Sequence, residues 1–186
     1  MLVLGIDPGT RLLGWGVVSR NGQRLTHVGH GVLKLDAKAP LPERLHQIEI
    51  GLVEVIDRFR PEAASVESLF FHKDPQAAAK LGHARGVVLL ALSRAQVPIH
   101  EYAPARVKRT VAGGGQAGKD QVAQMVRALL ALPDVPPPDA ADALAIAMTH
   151  LRTIGLSSAI PNLPALRASR AAGISAAVKA ARRAIR

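Results

Sequence analysis

Residues 1–20, MLVLGIDPGTRLLGWGVVSR, decide how the rest of the chain is read. Leu2-Val3-Leu4-Gly5-Ile6 is an apolar, β-prone run that ends on a carboxylate, Asp7, where the pattern should stay greasy. Pro8-Gly9-Thr10 supplies turn chemistry, proline presetting φ and glycine accepting a left-handed conformation. A second apolar run, 12–18, reads as the returning strand of a hairpin. An acid at the end of a buried strand is costly unless something pairs with it. Asp7 either opens the turn and hydrogen-bonds its own backbone, or shares a cation with carboxylates supplied by the rest of the chain.

The chain has 186 residues, which suits one domain with a well-formed core. Aromatic residues are only 3% against 48% hydrophobic, so that core is built mostly from Ala, Val, Leu and Ile. Cysteine is absent, which excludes disulfides and thiolate metal sites. A bound metal would be held by oxygen or imidazole, favouring Mg²⁺ or Mn²⁺. No apolar run reaches the roughly 18 residues that span a bilayer, and the opening has no basic n-region or cleavage site. A cytoplasmic protein is expected. Net charge is +10, and no acid follows Asp142. Arg152, Arg167, Arg170, Lys179, Arg182, Arg183 and Arg186 therefore give residues 151–186 a charge of +7. A mildly basic body with a strongly basic tail suggests a polyanionic partner, although a merely solubilising tail has the same composition.

Along the chain, 23–35 reads as a third strand, joined to the second across Asn21-Gly22. Leu45, Ile48, Leu52, Val55, Ile56 and Phe59 recur three and four apart and predict a helix over 41–59, ended by Arg60-Pro61. Residues 62–69 predict a fourth strand, parallel to an earlier one because a helix precedes it. Glu67 lies near its C-terminal end, where open α/β sheets place their chemistry. Asp74-Pro75 starts a helix continuing over 76–95, 97–102 is a fifth strand, and 105–112 a helix carrying Arg106, Lys108 and Arg109. A glycine loop, 113–118, leads into a helix over 119–132. After a proline-rich break, 139–151 is the last clear helix. The expected domains are 1–156 and a basic tail, 157–186.

In DAADALAIAMTH, 139–150, Asp139 and Asp142 stand three apart at a helix start, so one face can present both. Capping accounts for the pair equally well, since acids suit a helix's first turn. Taken with Asp7 and Glu67, however, four carboxylates converging on one sheet edge need cations between them. Two divalent ions about 3.5–4 Å apart would serve, and such pairs clamp the attacking and leaving oxygens in phosphoryl chemistry.

GIDPGT with GWGVV, VESLFF, YAPARVK, the Gly118-Lys119 pair and DAADALAIAMTH together resemble the RuvC-type Holliday-junction resolvases over about residues 1–151, in the same order and spacing. The resemblance implies an RNase H-like α/β fold: a mixed five-stranded sheet, three antiparallel strands first, with helices on both faces. It implies a homodimer, formed through helix 76–95, that nicks two strands of a four-way DNA junction symmetrically during recombination and repair. It assigns two Mg²⁺ (or Mn²⁺) ions to Asp7, Glu67, Asp139 and Asp142, catalytic roles to Lys108 and Lys119, and a base-stacking role to Phe70, with Phe71 left for the core. A branch-migration complex (RuvA, RuvB) is the implied partner. Lys119 would neutralise charge at the scissile phosphate, and Lys108 and Arg109 would hold the DNA backbone. Without the resemblance each of these cations reads as an exposed, solvated side chain.

Three other readings compete. GGGQAGK, 113–119, matches a P-loop until its eighth position, where Asp120 replaces the Mg²⁺-binding hydroxyl; the loop also follows a helix instead of a strand. GIDPGT resembles the phosphate loop of actin-like and sugar-kinase ATPases, but those need two related domains. A catalytically inactive nucleic-acid-binding module of the same fold remains, against which the four intact acids argue.

Overall fold

A computed structural model of the chain describes residues 1–68 and 75–159. Met1–Gly155 form one compact unit. Strands β1 (Leu2–Asp7), β2 (Leu12–Asn21) and β3 (Arg24–Lys34) make an antiparallel meander. Helix α1 (Leu41–Phe59) leads to β4 (Ala63–Glu67), α2 (Pro75–Arg94) to β5 (Ile99–Tyr102). Then come α3 (Pro104–Ala112), α4 (Lys119–Leu129) and α5 (Pro138–Ala159). The sheet order is β3-β2-β1-β4-β5, with β4 parallel to both β1 and β5. The expected mixed five-stranded sheet is therefore present.

Strand alternation sorts the core into two layers. Leu4, Ile6, Leu13, Val17, Ala64 and Val66 pack with Ile48, Leu52, Val55 and Ile56 of α1 and Ala84, Val88, Ala91 and Leu92 of α2. Val3, Val18 and Ala63 pack instead with Val107, Val111, Val122, Val126 and the buried run of α5. Helices thus cover both faces. Asp7 shares the α5 face with Val3 and Gly5, and Glu67 shares it with Ala63 and Ser65, because each set is spaced by two along its strand.

Helix α1 has the sequence-predicted bounds, and Arg60 ends it in the left-handed conformation at φ 48°. The β2–β3 turn lies one residue later than predicted. Asn21 pairs with Arg24, so Gly22-Gln23 is the two-residue loop, with Gly22 at φ 58°. Positive φ at the first central residue is what a type II′ hairpin requires of glycine. The last helix outruns its predicted end at 151 by eight residues. The first residues of the extension have polar partners that no hydrophobic period reveals: Arg152 donates to the Thr110 carbonyl (2.6 Å) and Arg106 to Thr153 Oγ1 (3.2 Å). Phe70, Phe71, the cap Asp74 and the tail beyond 159 lie outside the described residues.

Candidate active site

The carboxylates come together through a seat of glycines. Gly5 of β1 pairs with Gly16 of β2, and Asp7 pairs with Gly14. A Cβ at Gly5 would collide with the Ala143 carbonyl oxygen, one at Gly14 with the Asp139 carbonyl oxygen, and one at Gly16 with the Leu144 side chain at 2.7 Å. The start of α5 therefore lies directly on the β1–β2 backbone, nearer than any side chain would permit. That close approach carries Asp139 and Asp142 to the end of β1. Because β1 and β4 run parallel and Ile6 pairs with Val66, the next residues, Asp7 and Glu67, emerge at the same edge.

A cleft of about 240 Å³ opens there, lined by Asp7, Glu67, Lys108, Lys119 and Asp142 over a floor that includes Val107, Val122 and Ile146. A second cavity, about 230 Å³, continues from it past Asp120, Gln124, Val135, Pro136 and Pro138, sharing Lys119 and Asp142. The three carboxylates at the first cleft report the strain of burial and of sharing it, and Lys119 relieves part of that strain. Burial pushes Asp7 up from 3.8 to about 7, with further upward pressure from Asp142, Glu67 and Asp139; Lys119 pulls it back. Burial, then Asp142, raises Glu67, while Lys119 and Lys108 oppose. Asp142 is raised by burial and lowered most by Lys119. In turn Asp142 raises Lys119, whose Nζ stands 3.4 Å from Asp142 Oδ2.

The alternative roles for the acids are not realised. Among the described residues, neither Asp7 nor Asp139 nor Asp142 accepts a hydrogen bond from a backbone N–H, so Asp7 does not fold into its own turn and α5 is not capped by either aspartate. No three acidic or imidazole groups among them are drawn up around a single point; the carboxylates stand along the cleft walls. Asp139 does not line the cleft, yet its charge is felt at Asp7, Asp142 and Lys119. The donor set is all oxygen and densely negative, which suits a hard divalent cation.

Lys108 joins the cleft, but Arg109 does not: its Nη2 lies 3.8 Å from where a Cβ on Gly115 would sit, beside the glycine loop. That loop follows α3, whose end is capped by left-handed Gly113 at φ 78°, so the P-loop reading fails on context as well as on Asp120. Two features escaped sequence reading. Arg85 of α2 is buried and donates to the Glu67 carbonyl oxygen. Tyr102, paired in register with Glu67, hydrogen-bonds buried His150 Nδ1 at 2.8 Å, and His100 stacks on that imidazole at 4.1 Å. Burial and the neighbouring His100 hold His150 down to about 4. A lone His after an apolar helix gave no hint of its partner 48 residues earlier.

The family model described as crossover junction endodeoxyribonuclease RuvC matches residues 3–150. The crossover junction endodeoxyribonuclease RuvC of Sorangium cellulosum is 59% identical over 160 residues, 86% of this chain and 89% of its own. That of Myxococcus xanthus is 49% identical over 81% of this chain and 80% of its own. Among solved structures, Thermus thermophilus RuvC in complex with Holliday junction substrate superposes at a TM-score of 0.80 with 43% identity, covering 85% of this chain and 97% of that one. The yeast mitochondrial Holliday junction resolvase Ydc2, at 18% identity and a TM-score of 0.61, shares the fold. The architecture is RNase H-like. By sequence and architecture, the chain belongs to the RuvC family of crossover junction endodeoxyribonucleases.

Proposed function

We propose that Asp7, Glu67, Asp139 and Asp142 hold two divalent ions, Mg²⁺ or Mn²⁺, and that the cleft lined by Asp7, Glu67 and Asp142, with Asp139 beside it, cuts a phosphodiester at the centre of a four-way junction. The family makes the chain a metal-dependent DNA endonuclease that resolves such junctions; the assignment of roles to side chains is our own reading. The observation that carries it is the convergence of Asp7, Glu67 and Asp142 with Lys108 and Lys119 in one cleft at the ends of two parallel strands.

Ions bound there would offset charge on the attacking and departing oxygens. The chain's own contribution is placement. Strands β1 and β4 fix Asp7 and Glu67, and the glycine seat fixes α5 against them. Lys119, three-quarters exposed, is free to leave Asp142 for a phosphate oxygen of the DNA. Lys108 faces the same space and would hold the scissile strand. Arg109, on the loop side of α3, would contact backbone farther along, and Phe70 would stack on bases at the crossover. Half-exposed Leu90 on α2 suits the burial of that helix against a second copy, giving two clefts and paired symmetric nicks. No helix among the described residues is long and apolar enough to cross a membrane; action in the cytoplasm, alongside a RuvA–RuvB branch-migration complex, fits that reading.

The test is cleavage of a labelled synthetic four-way junction in Mg²⁺ or Mn²⁺, beside a linear duplex of the same sequence, with Asp7→Asn in parallel. Paired nicks in the junction alone, lost in the variant while junction binding persists, are expected. Tight binding without nicking in either metal would favour an inactive binding module instead.

A further inference from the structure

We propose that Arg85 is a positioning residue for the cleft: it holds Glu67 through its main chain and so sets where that carboxylate stands. Among the described residues no other arginine or lysine is buried; Arg85 is 7% exposed. It comes from α2, on the sheet face opposite α5. One guanidinium nitrogen, Nη1, donates to the Glu67 carbonyl oxygen, and Nη2 lies 2.6 Å from Glu101 Oε2 on β5.

The place of this hydrogen bond matters. The β1–β4 pairing ends at Ile6 and Val66, so Glu67 lies one residue beyond the last rung on that side. On the other side β5 still holds it, with Glu67 opposite Tyr102 and Ser68 N–H donating to the Tyr102 carbonyl at 2.9 Å. Arg85 supplies the further restraint on the peptide that follows Glu67. Rotation of that peptide would swing the Cα–Cβ bond and carry the carboxylate along the cleft wall. Functional side chains need placing to within about 0.5 Å, and that precision comes from such supporting hydrogen bonds. Stability alone is a weak reason for the arrangement. Burying a guanidinium is expensive, and its ionic partner Glu101 is 49% exposed, so the pair is desolvated mainly on the Arg85 side.

This inference rests on the reading of Glu67 as a metal-holding carboxylate. The experiment therefore runs Glu67→Gln beside Arg85→Lys, Arg85→Gln and Glu101→Gln, all in the full chain. Four quantities are measured: melting temperature, junction affinity in EDTA, Mn²⁺ affinity by calorimetry, and the Mg²⁺ concentration at half-maximal cleavage. Removing a support of this kind costs about 10–100-fold in metal affinity or activity. Arg85→Gln is expected to weaken Mn²⁺ binding and raise the Mg²⁺ midpoint by about that factor, with junction affinity unchanged. Arg85→Lys, which keeps the charge but has a single donor nitrogen in place of the two-nitrogen fork, should recover part of the loss, and Glu101→Gln should show a smaller one. Variants that melt lower but keep the parental Mn²⁺ affinity and Mg²⁺ midpoint would reduce Arg85 to a structural ion pair. Should Arg85→Gln fail to fold, Arg85→Lys and Glu101→Gln decide by the same criterion. If Glu67→Gln itself binds Mn²⁺ as the parent does, the metal reading of Glu67 fails; if it loses Mn²⁺ and the Arg85 variants do not, only the positioning role fails.

Discussion

Replacing Asp7 by asparagine should make the protein more stable in the absence of divalent ions, even as it removes cleavage. Asp7 titrates near 3.8 in an unfolded chain and near 7 in the folded one, chiefly because it is buried and because Asp142, Glu67 and Asp139 surround it. Between those values the folded state holds a proton that the unfolded state has released. Stability therefore falls as pH rises from about 4 to about 7, and stays low above that. At about 1.4 kcal/mol per unit the penalty is about 4.5 kcal/mol above both values, and about 2 kcal/mol once solvent at the open cleft screens it. An amide has the shape of the protonated acid and carries no charge. Asp7→Asn should thus melt about 4–8 °C above the parent at pH 7.5 in EDTA, taking roughly 2–4 °C per kcal/mol for a chain of this size. The gap should close near pH 4, where the parent's own acid is protonated. Saturating Mg²⁺ should close it from the other side, by stabilising the parent through binding. Melting curves followed by circular dichroism across pH 4–8 decide the matter. Equal melting temperatures at pH 7.5 in EDTA, or a lower one for the variant, would refute the claim that the cleft stores electrostatic strain at Asp7.

Lys119→Met keeps an apolar stem and removes the cation that lowers Asp7, Glu67 and Asp142; the acid limb of the cleavage pH profile should move to higher pH and the rate fall, and an unmoved limb would separate Lys119 from the carboxylates. Gly5→Ala drives a methyl into the Ala143 carbonyl oxygen and, at 2.7 Å, the Ala147 nitrogen, so α5 must lift; a loss of about 1–3 kcal/mol in denaturant titration is expected, together with weaker cleavage because Asp139 and Asp142 retreat. Unchanged stability would mean that the seat is loose. Deleting 160–186 removes six basic residues and should lower junction affinity and flatten its salt dependence by about 0.9 log unit for each phosphate the tail no longer neutralises, with single-turnover cleavage intact. An unchanged salt slope would remove the tail from the DNA interface.

Local rules carried the sequence reading where one face of an element meets water. Helix α1 is apolar on one stripe and polar on the other, so its period and the Arg60-Pro61 stop located both ends. Strand β5 begins at Ile99, two residues later than predicted, because Val97 N–H is still bound to the Leu92 carbonyl at the end of α2. The greater difficulty is α5, where Ala140, Ala141 and every residue from Ala143 to Leu151 are buried. A helix covered all round has no stripe, so its sequence fixes neither the direction in which Asp142 points nor the helix's length. Spacing alone left capping and metal binding equally open for Asp139 and Asp142. What separates them is the fit of that helix against β1 and β2.

That fit explains the lean aromatic content in the same terms. On the α1–α2 face, large side chains fill the layer, and Trp15 meets Phe59 at 5.6 Å. On the α5 face, the sheet presents Gly5, Gly14 and Gly16, and the helix answers with alanines, so backbone approaches backbone. A bulky residue there would add buried apolar area but would push α5, and both its aspartates, away from Asp7. The two faces therefore divide the labour between them. Large side chains on one face offset the electrostatic strain that small ones on the other allow to accumulate. Substitutions that enlarge the α5 face should consequently cost cleavage before they cost folding, whereas truncations on the α1–α2 face, such as Leu52→Ala at about 2–5 kcal/mol, should cost stability first. Finding the opposite order in paired melting and cleavage measurements would undo this division of roles.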